Sequence, residues 1–150
     1  MLATNAASRP KAAFFRSMKL EVFCLCDAAT VSGGKLNILG AFDSLFANQM
    51  PAVHSQCAIA LRMRFTRIEE GDHRIKITVV DEDGKSIMPA LEGKMSVRFG
   101  AEDDSSVANF IINIQQLKLQ KLGQYAIDIA VDSRHEASLP LLVKKGQASA

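Results

Sequence analysis

The sequence contains no tryptophan, one tyrosine and three cysteines, and each shortage narrows the class of protein it can encode. So few tryptophans and tyrosines weigh against an aromatic stacking platform for sugars or single-stranded nucleic acid, although eight phenylalanines are present. No apolar run approaches the ~18 residues that a transmembrane helix requires. The formal net charge of +2 indicates no bulk attraction to nucleic acid. We therefore expect no membrane span and no specific nucleic-acid partner.

The three cysteines, Cys24, Cys26 and Cys57, do not have the spacing of a secreted disulfide framework. An odd number of cysteines without that spacing favours a reducing compartment, so we predict a cytoplasmic protein. Cys24 and Cys26 lie two residues apart on a predicted strand and therefore share a face. No Cys or His pair has finger-like spacing, so we interpret the cysteines as core residues and predict neither a metal nor another cofactor.

The length of 150 residues, 48% of them hydrophobic, is enough for one domain with a sizeable core. Residues 1–17 carry three basic and no acidic residues and lack the apolar stretch of a signal peptide, so we predict a flexible basic tail there. A helix is predicted only around residues 12–18. We expect one β-sandwich domain over residues 18–145 and a frayed C-terminus over 146–150.

Short apolar runs with period-two alternation fill the chain and are separated by glycine-containing turns. The opening pair is VFCLCDAA and LNILGAFD around the turn Ser32–Lys35, which predicts a β-hairpin. A second hairpin is predicted between residues 57–67 and 74–80, with Phe65 opposite Ile75 and Met63 opposite Ile77. The alternation in residues 57–67 predicts one buried face and one solvated face.

About seven to eight strands of this kind predict an all-β fold, an antiparallel immunoglobulin-like β-sandwich. Tyr125 follows Leu122-Gly123 at a strand start, as in the tyrosine corner of immunoglobulin-like domains, where the hydroxyl returns to the backbone. The sequence lacks the Cys–Trp–Cys trio of antibody domains.

No group of residues forms a recognisable catalytic site, and we predict no catalytic residue. His54, His73 and His135 lie on separate loops or strand edges, and no Gly-x-Ser-x-Gly elbow is present. Asp27 and Asp43 each close an apolar strand of the opening hairpin. We interpret them as structural turn residues rather than as paired carboxylates for acid–base chemistry.

One polar surface carries a possible ligand site. In the predicted second hairpin, four basic side chains lie together on the polar face: Arg62, Arg64, Arg74 and Lys76. Like charges on adjacent strands repel unless something neutralises them. In one interpretation, an acidic residue from a third strand, or solvent, neutralises these charges. In the other, this face binds an anionic ligand.

The segments FCLCDAATVSGGKLNILGAFDSL, RIKITVVDEDGK and LGQYAIDIAVD resemble a family of small uncharacterised bacterial proteins. That resemblance spans residues 18 to about 144 and implies a sandwich-like fold and a bacterial, cytoplasmic setting. It implies no catalytic residue.

Two functions of different class follow from the sequence. The first is a non-enzymatic β-sandwich module that binds an unknown protein partner or associates with itself, because antiparallel sandwiches expose strand edges. The second is binding of an anionic ligand through the basic face. An enzyme is the least favoured alternative.

Overall fold

The computed structural model describes residues 18–147, and most of these residues lie in β-strands. Within this range, nine strands and one 3₁₀ turn, Arg67–Glu69, follow one another. The strands are β1 (Lys19–Ser32), β2 (Lys35–Ala41), β3 (Ser44–Ala47), β4 (Ala52–Thr66), β5 (Gly71–Val80), β6 (Leu91–Val97), β7 (Ser105–Leu119), β8 (Gly123–Val131) and β9 (Arg134–Lys145).

The strands form two sheets. One is four-stranded and antiparallel, in the order β2-β1-β4-β7; the other is five-stranded, in the order β3-β9-β8-β5-β6. The all-β prediction is confirmed. Nine strands are present rather than seven or eight, and the arrangement is not wholly antiparallel because β3 runs parallel to β9.

A single large core lies between the two sheets. From the four-stranded sheet it takes alternate residues of β4, and from the five-stranded sheet alternate residues of β5, β8 and β9. The fully buried members include Ile59, Leu61, Met63, Phe65, Ile75, Ile77, Ile127, Ile129 and Leu141. The predicted apolar rows of β4 and β5 are therefore correct, since strand periodicity alone decides which face is buried.

The predicted hairpin between β4 and β5 is wrong. β4 pairs with β1 and β7, whereas β5 pairs with β6 and β8 in the other sheet. The 3₁₀ turn between them carries the chain from one sheet to the other, and the Glu69 carboxylate accepts a hydrogen bond from the Thr66 backbone N–H at 2.9 Å. Alternation fixes the buried face of each strand but leaves its partner open.

The far ends of β1 and β2 form a ribbon, residues 27–40, which we call the arm. β1 pairs with β4 only as far as Cys26↔Ala58, and beyond that point it pairs with β2 alone. At the tip, the Asn109 side-chain amide of β7 donates a hydrogen bond to the Gly34 carbonyl at 3.2 Å. The arm therefore folds back across the outer face of the four-stranded sheet, over β4.

Small residues lie beneath the arm. Cys26, Ala58 and Ala60 are fully buried on the face of the sheet that points away from the main core, and Ala29 and Leu36 of the arm pack against them. Short side chains at these positions let the arm approach the sheet closely. The prediction of a solvated outer face on β4 is thus wrong at Ala58 and Ala60, because the arm covers them.

The arm bends where Asp27 lies beside Gly40. Gly40 has a φ of +68°, in the left-handed region that favours glycine. A Cβ at this position would lie 2.9 Å from the Asp27 Cγ. Only glycine therefore permits both the backbone turn and the close approach of the carboxylate.

Residues 1–17 and 148–150, with the predicted tail and helix, lie outside the described residues. The division into tail, single domain and frayed end stays a prediction.

Replacing Gly40 by alanine should destabilise the protein more than replacing Gly84, a turn glycine with a φ of +78° whose Cβ would meet no atom within 4 Å. Both substitutions carry the left-handed penalty of about 1–2 kcal/mol, but only Gly40→Ala adds the clash with Asp27. Urea denaturation of both variants measures the difference. Equal losses would show that the Asp27–Gly40 contact does not shape the bend.

Candidate functional site

The four basic residues predicted to share one face lie on two different sheets. Arg62 and Arg64 belong to β4, while Arg74 and Lys76 belong to β5. The core-facing neighbours of each pair are buried, so each pair points outward from its own sheet. The predicted single basic face is therefore wrong, because the hairpin on which it depended does not form. Binding of an anion by either pair stays a prediction.

Glu21 of β1 pairs with both arginines of β4. Its carboxylate accepts hydrogen bonds from Arg62 Nε at 3.0 Å and from Arg64 Nε at 2.7 Å. The Arg64 guanidinium also donates to Ser105 Oγ at 2.9 Å. An acidic residue from a third strand thus neutralises the like charges. In the sequence, Glu21 stands out only as a carboxylate within an apolar strand. Its arginine partners become evident only when the strand order is known.

The hydrogen bonds from Arg64 lower the pKa of Glu21; partial desolvation opposes this effect, and Arg62 adds to it. Arg62 also donates to Asn109 Oδ1 at 3.2 Å, and Asn109 in turn donates to Gly34 at the arm tip. A continuous polar chain therefore runs from Glu21 through Arg62 and Asn109 to the arm. These side chains hold the arm in place.

The arm carries exposed apolar residues on both of its faces. Leu39 is 70% exposed, Val31 47% and Ile38 39%. Ile38 pairs with Ala29 and Leu39 with Ala28, so neighbouring residues of β2 project from opposite faces of the ribbon. Within residues 18–147, no strand pairs with the second edge of β2.

The cysteines are free thiols, and their environment disfavours thiolate chemistry. Burial raises the pKa of Cys26 and Cys57 to about 11, with the neighbouring Cys24, Cys26 and Asp27 adding to the effect. Cys26 and Cys57 are fully buried, whereas Cys24 is half-buried. The expected packing role is thus confirmed for Cys26 and Cys57, and a neutral buried thiol is inert.

His73 joins three parts of the structure. Its Nδ1 lies 2.6 Å from an Asp132 carboxylate oxygen, and its Nε2 lies 2.6 Å from the Glu69 carbonyl oxygen. The ring also stacks on Phe65, with centroids 4.8 Å apart. The other Asp132 oxygen accepts from the Arg74 backbone N–H at 2.9 Å. Both ring nitrogens face acceptors, so only the doubly protonated imidazolium satisfies both bonds.

Burial opposes that charge, but the hydrogen bonds to the Glu69 carbonyl and to Asp132 outweigh it, and the pKa of His73 is raised. The pKa of Asp132 is lowered: burial acts against this, while the Arg74 amide and His73 favour the carboxylate. His73 and Asp132 are far apart in sequence, so spacing gives no signal of the pair. Because Nε2 is engaged by a backbone carbonyl, we interpret the pair as a structural clamp.

Asp27 and His54, separate in the sequence, line one open cleft of about 580 Å³ together with Phe42 and Phe46. Asp43 lines the neighbouring cleft instead, and its carboxylate accepts a hydrogen bond from Ser44 Oγ at 3.0 Å. The His54 ring is tilted against Phe42, with centroids 5.7 Å apart. The structure thus places Asp27 and a histidine at one cleft and Asp43 at another.

Within residues 18–147, no group of three His, Cys, Asp or Glu side chains is arranged to hold a metal ion. The same residues contain no helix that is long and apolar enough to cross a membrane.

These features define an all-β domain of two sheets with a folded-back hairpin arm. The chain belongs to a family of unknown function, DUF6941, whose family model matches residues 21–144. The predicted resemblance to a family of uncharacterised proteins is therefore confirmed. No curated protein matches the chain.

Similarity to solved structures concerns the fold alone. A β-glucosidase from Listeria innocua in complex with isofagomine aligns with a TM-score of 0.52 and 8% identity, over 85% of this chain and 16% of that enzyme. The alkylpurine DNA glycosylase AlkC from Pseudomonas fluorescens, bound to DNA containing an abasic site analog, aligns with a TM-score of 0.49 and 9% identity, over 85% of this chain and 30% of that protein. The chain thus spans less than a third of either protein.

The His73 clamp predicts a pH dependence of stability near neutrality. Since the folded-state pKa of His73 is raised, its contribution is complete below the unfolded value of about 6.5 and is lost as pH rises through the folded value. The difference in free energy of unfolding between wild type and His73→Phe should therefore shrink from pH 5.5 to pH 8.5. Urea denaturation across this range measures it. A constant difference would contradict a protonated clamp.

Proposed function

We propose that the protein is a non-enzymatic binding module that recognises another protein chain by adding a strand to the free edge of β2. The observation that carries this proposal is the exposure of Ile38 and Leu39 on opposite faces of an edge strand. An edge strand presents unpaired backbone N–H and C=O groups, and an added strand satisfies them.

Exposure on both faces favours an added strand over a flat docking surface. A partner lying on one face of the arm would cover Leu39 or Ile38 but not both. A strand beside β2 presents side chains to both faces of the ribbon, so it covers part of each residue. Val31, across the ribbon from Leu36, extends the apolar surface toward the tip.

The charges at the two ends of β2 specify the partner further. Lys35 begins the strand, and the Asp27 carboxylate lies against Gly40 near its end. An added strand therefore meets a cation at one end and an anion at the other. The complementary partner is an extended segment with an apolar centre, an acidic residue at the Lys35 end and a basic residue at the Asp27 end.

Two of the other edge strands, β6 and β3, are less suited to this role. β6 exposes Glu92, Lys94 and Ser96, and Lys94 pairs with Asp72 at 3.3 Å. β3 is only four residues long. Charged and short edges are the usual protection against strand pairing.

We also propose that the fold is of the immunoglobulin-like kind. The strand order supports it: after β4, the chain crosses to β5 and β6, returns to β7 beside β4, and then places β8 beside β5 and β9 beside β8. The Tyr125 hydroxyl donates to the Lys121 carbonyl at 2.6 Å, as a tyrosine corner requires.

A cytoplasmic location is proposed as well. Its support is that all three cysteines are free thiols, as expected in a reducing compartment.

The test of strand addition uses a labelled extended peptide with a Val-Thr-Val-Thr-Val centre, Lys at its N-terminus and Glu at its C-terminus, which matches β2 in the antiparallel sense. Leu39→Lys should weaken binding by about tenfold or more, since it removes apolar contact of about 1.4 kcal/mol. Fluorescence anisotropy measures the affinity, and amide hydrogen exchange of residues 35–41 reports where the peptide binds.

The control variant is Ile68→Lys, because Ile68 is 68% exposed, close to the exposure of Leu39, but lies on the 3₁₀ turn. Binding that both variants weaken equally, or binding without protection of β2 amides, would overturn the proposal. Light scattering of the full chain without peptide tests whether a second copy of the chain pairs with the edge of β2. A dimer that Leu39→Lys dissociates would replace the foreign strand with a second copy.

A further inference from the structure

We infer that the cleft beside Asp27 is a binding site for an organic cation with an apolar stem, a primary alkylammonium group. The cleft lies at the base of the arm. It combines an unpaired carboxylate, an unpaired ring nitrogen and two phenylalanine rings, belonging to Asp27, His54, Phe42 and Phe46. Its volume of about 580 Å³ is in the range of small-molecule sites.

The His54 ring nitrogen is the first observation that points to a ligand. His54 Nε2 is buried and has no hydrogen-bond partner among the described residues. A buried polar atom without a partner loses its hydration and gains nothing in exchange, so it destabilises the folded protein. A donor that reached this nitrogen would supply the missing bond.

The Asp27 carboxylate is the second observation that points to a ligand. Within residues 18–147, no hydrogen bond or ion pair engages it. The other described residues that line the cleft include no lysine, arginine, aspartate or glutamate. Gly40 leaves room for the Asp27 carboxylate, because a Cβ there would overlap it. The anion is therefore not neutralised within the described residues.

These groups match an ammonium ion better than an anion or a neutral donor. An alkylammonium carries three N–H donors and no acceptor, so it suits both a carboxylate and a ring nitrogen that lacks a donor. The faces of Phe42 and Phe46 suit an apolar stem and attract cations. The Lys144 Nζ lies over the Phe46 ring, 5.9 Å from its centroid.

The cleft shares Asp27 with the proposed strand-addition surface, but His54, Phe42 and Phe46 lie outside β2, so a free amine tests the cleft separately. The same ammonium chemistry occurs in free amines and in the side chain of a lysine in a peptide. Two probes distinguish these sources: n-butylamine, and the peptide described above with its Lys replaced by norleucine. A free amine that binds supports the cleft even if no peptide binds β2.

The experiment is an NMR titration of the full chain with n-butylamine, with n-butanol as the uncharged probe of the same stem. We expect saturable shifts at Gly40, Phe42 and His54 with the amine, at about 1–10 mM, and weaker binding of the alcohol by about tenfold or more. Asp27→Asn should abolish that preference. Asp104→Asn, on an exposed loop outside the cleft, should preserve it.

His54→Phe supplies a second readout that does not involve charge. It should weaken amine binding and at the same time stabilise the free protein, since it removes a buried nitrogen without a partner. Equal binding of amine and alcohol to the wild type, or unchanged amine binding by Asp27→Asn, would overturn the inference. If norleucine leaves peptide binding intact while n-butylamine binds, the cleft takes free amines and not the partner's lysine.

Discussion

The middle of strand β4, residues 57–61, is buried on both faces, and this constraint organises the molecule. Its odd-numbered residues, from Cys57 to Phe65, face the core between the sheets, and Ala58 and Ala60 face the opposite side. A strand buried on one face needs only a second sheet, whereas a strand buried on both needs a further layer. The arm is that layer. Because the residues beneath it are small, the ribbon lies close to the sheet and leaves its own outer side free.

Two local features make the arm possible. Gly40 turns the backbone in a conformation that other residues avoid, and the chain Glu21–Arg62–Asn109 ends in a hydrogen bond to the Gly34 carbonyl at the tip. The two candidate sites follow from this placement. The free edge of β2 is presented because its partner strand β1 turns away from β4, and the Asp27 cleft opens where the ribbon leaves the sheet.

The sequence predicts elements better than it predicts pairings. Alternation in β4, β5 and β8 predicts correctly which residues enter the main core, because each strand has a fixed period of two. The same alternation led to a false β4–β5 hairpin, since it does not tell a hairpin from a crossover between sheets. The predicted basic face depended on that pairing and is therefore wrong as well; it consisted of Arg62, Arg64, Arg74 and Lys76.

What the sequence misses depends on contacts distant along the chain. The shift of apolar register after Gln116 is visible in the sequence and coincides with a φ of 55° at that residue. By contrast, no local pattern places His73 against Asp132, or Gly34 against Asn109. Alternation puts Ala58 and Ala60 on a solvated face, and alanine is tolerated in both environments. Their burial becomes evident only when the position of the arm is known.

The most direct test of this account is whether Leu36 touches β4. In a sample with labelled Leu and Ala methyl groups, we predict nuclear Overhauser effects between the Leu36 methyls and the Ala58 or Ala60 methyls. Slow amide exchange at Ala29 and Leu36 would accompany them. Absent methyl contacts together with fast exchange in the arm would contradict the account, because β4 would then be covered on one face only.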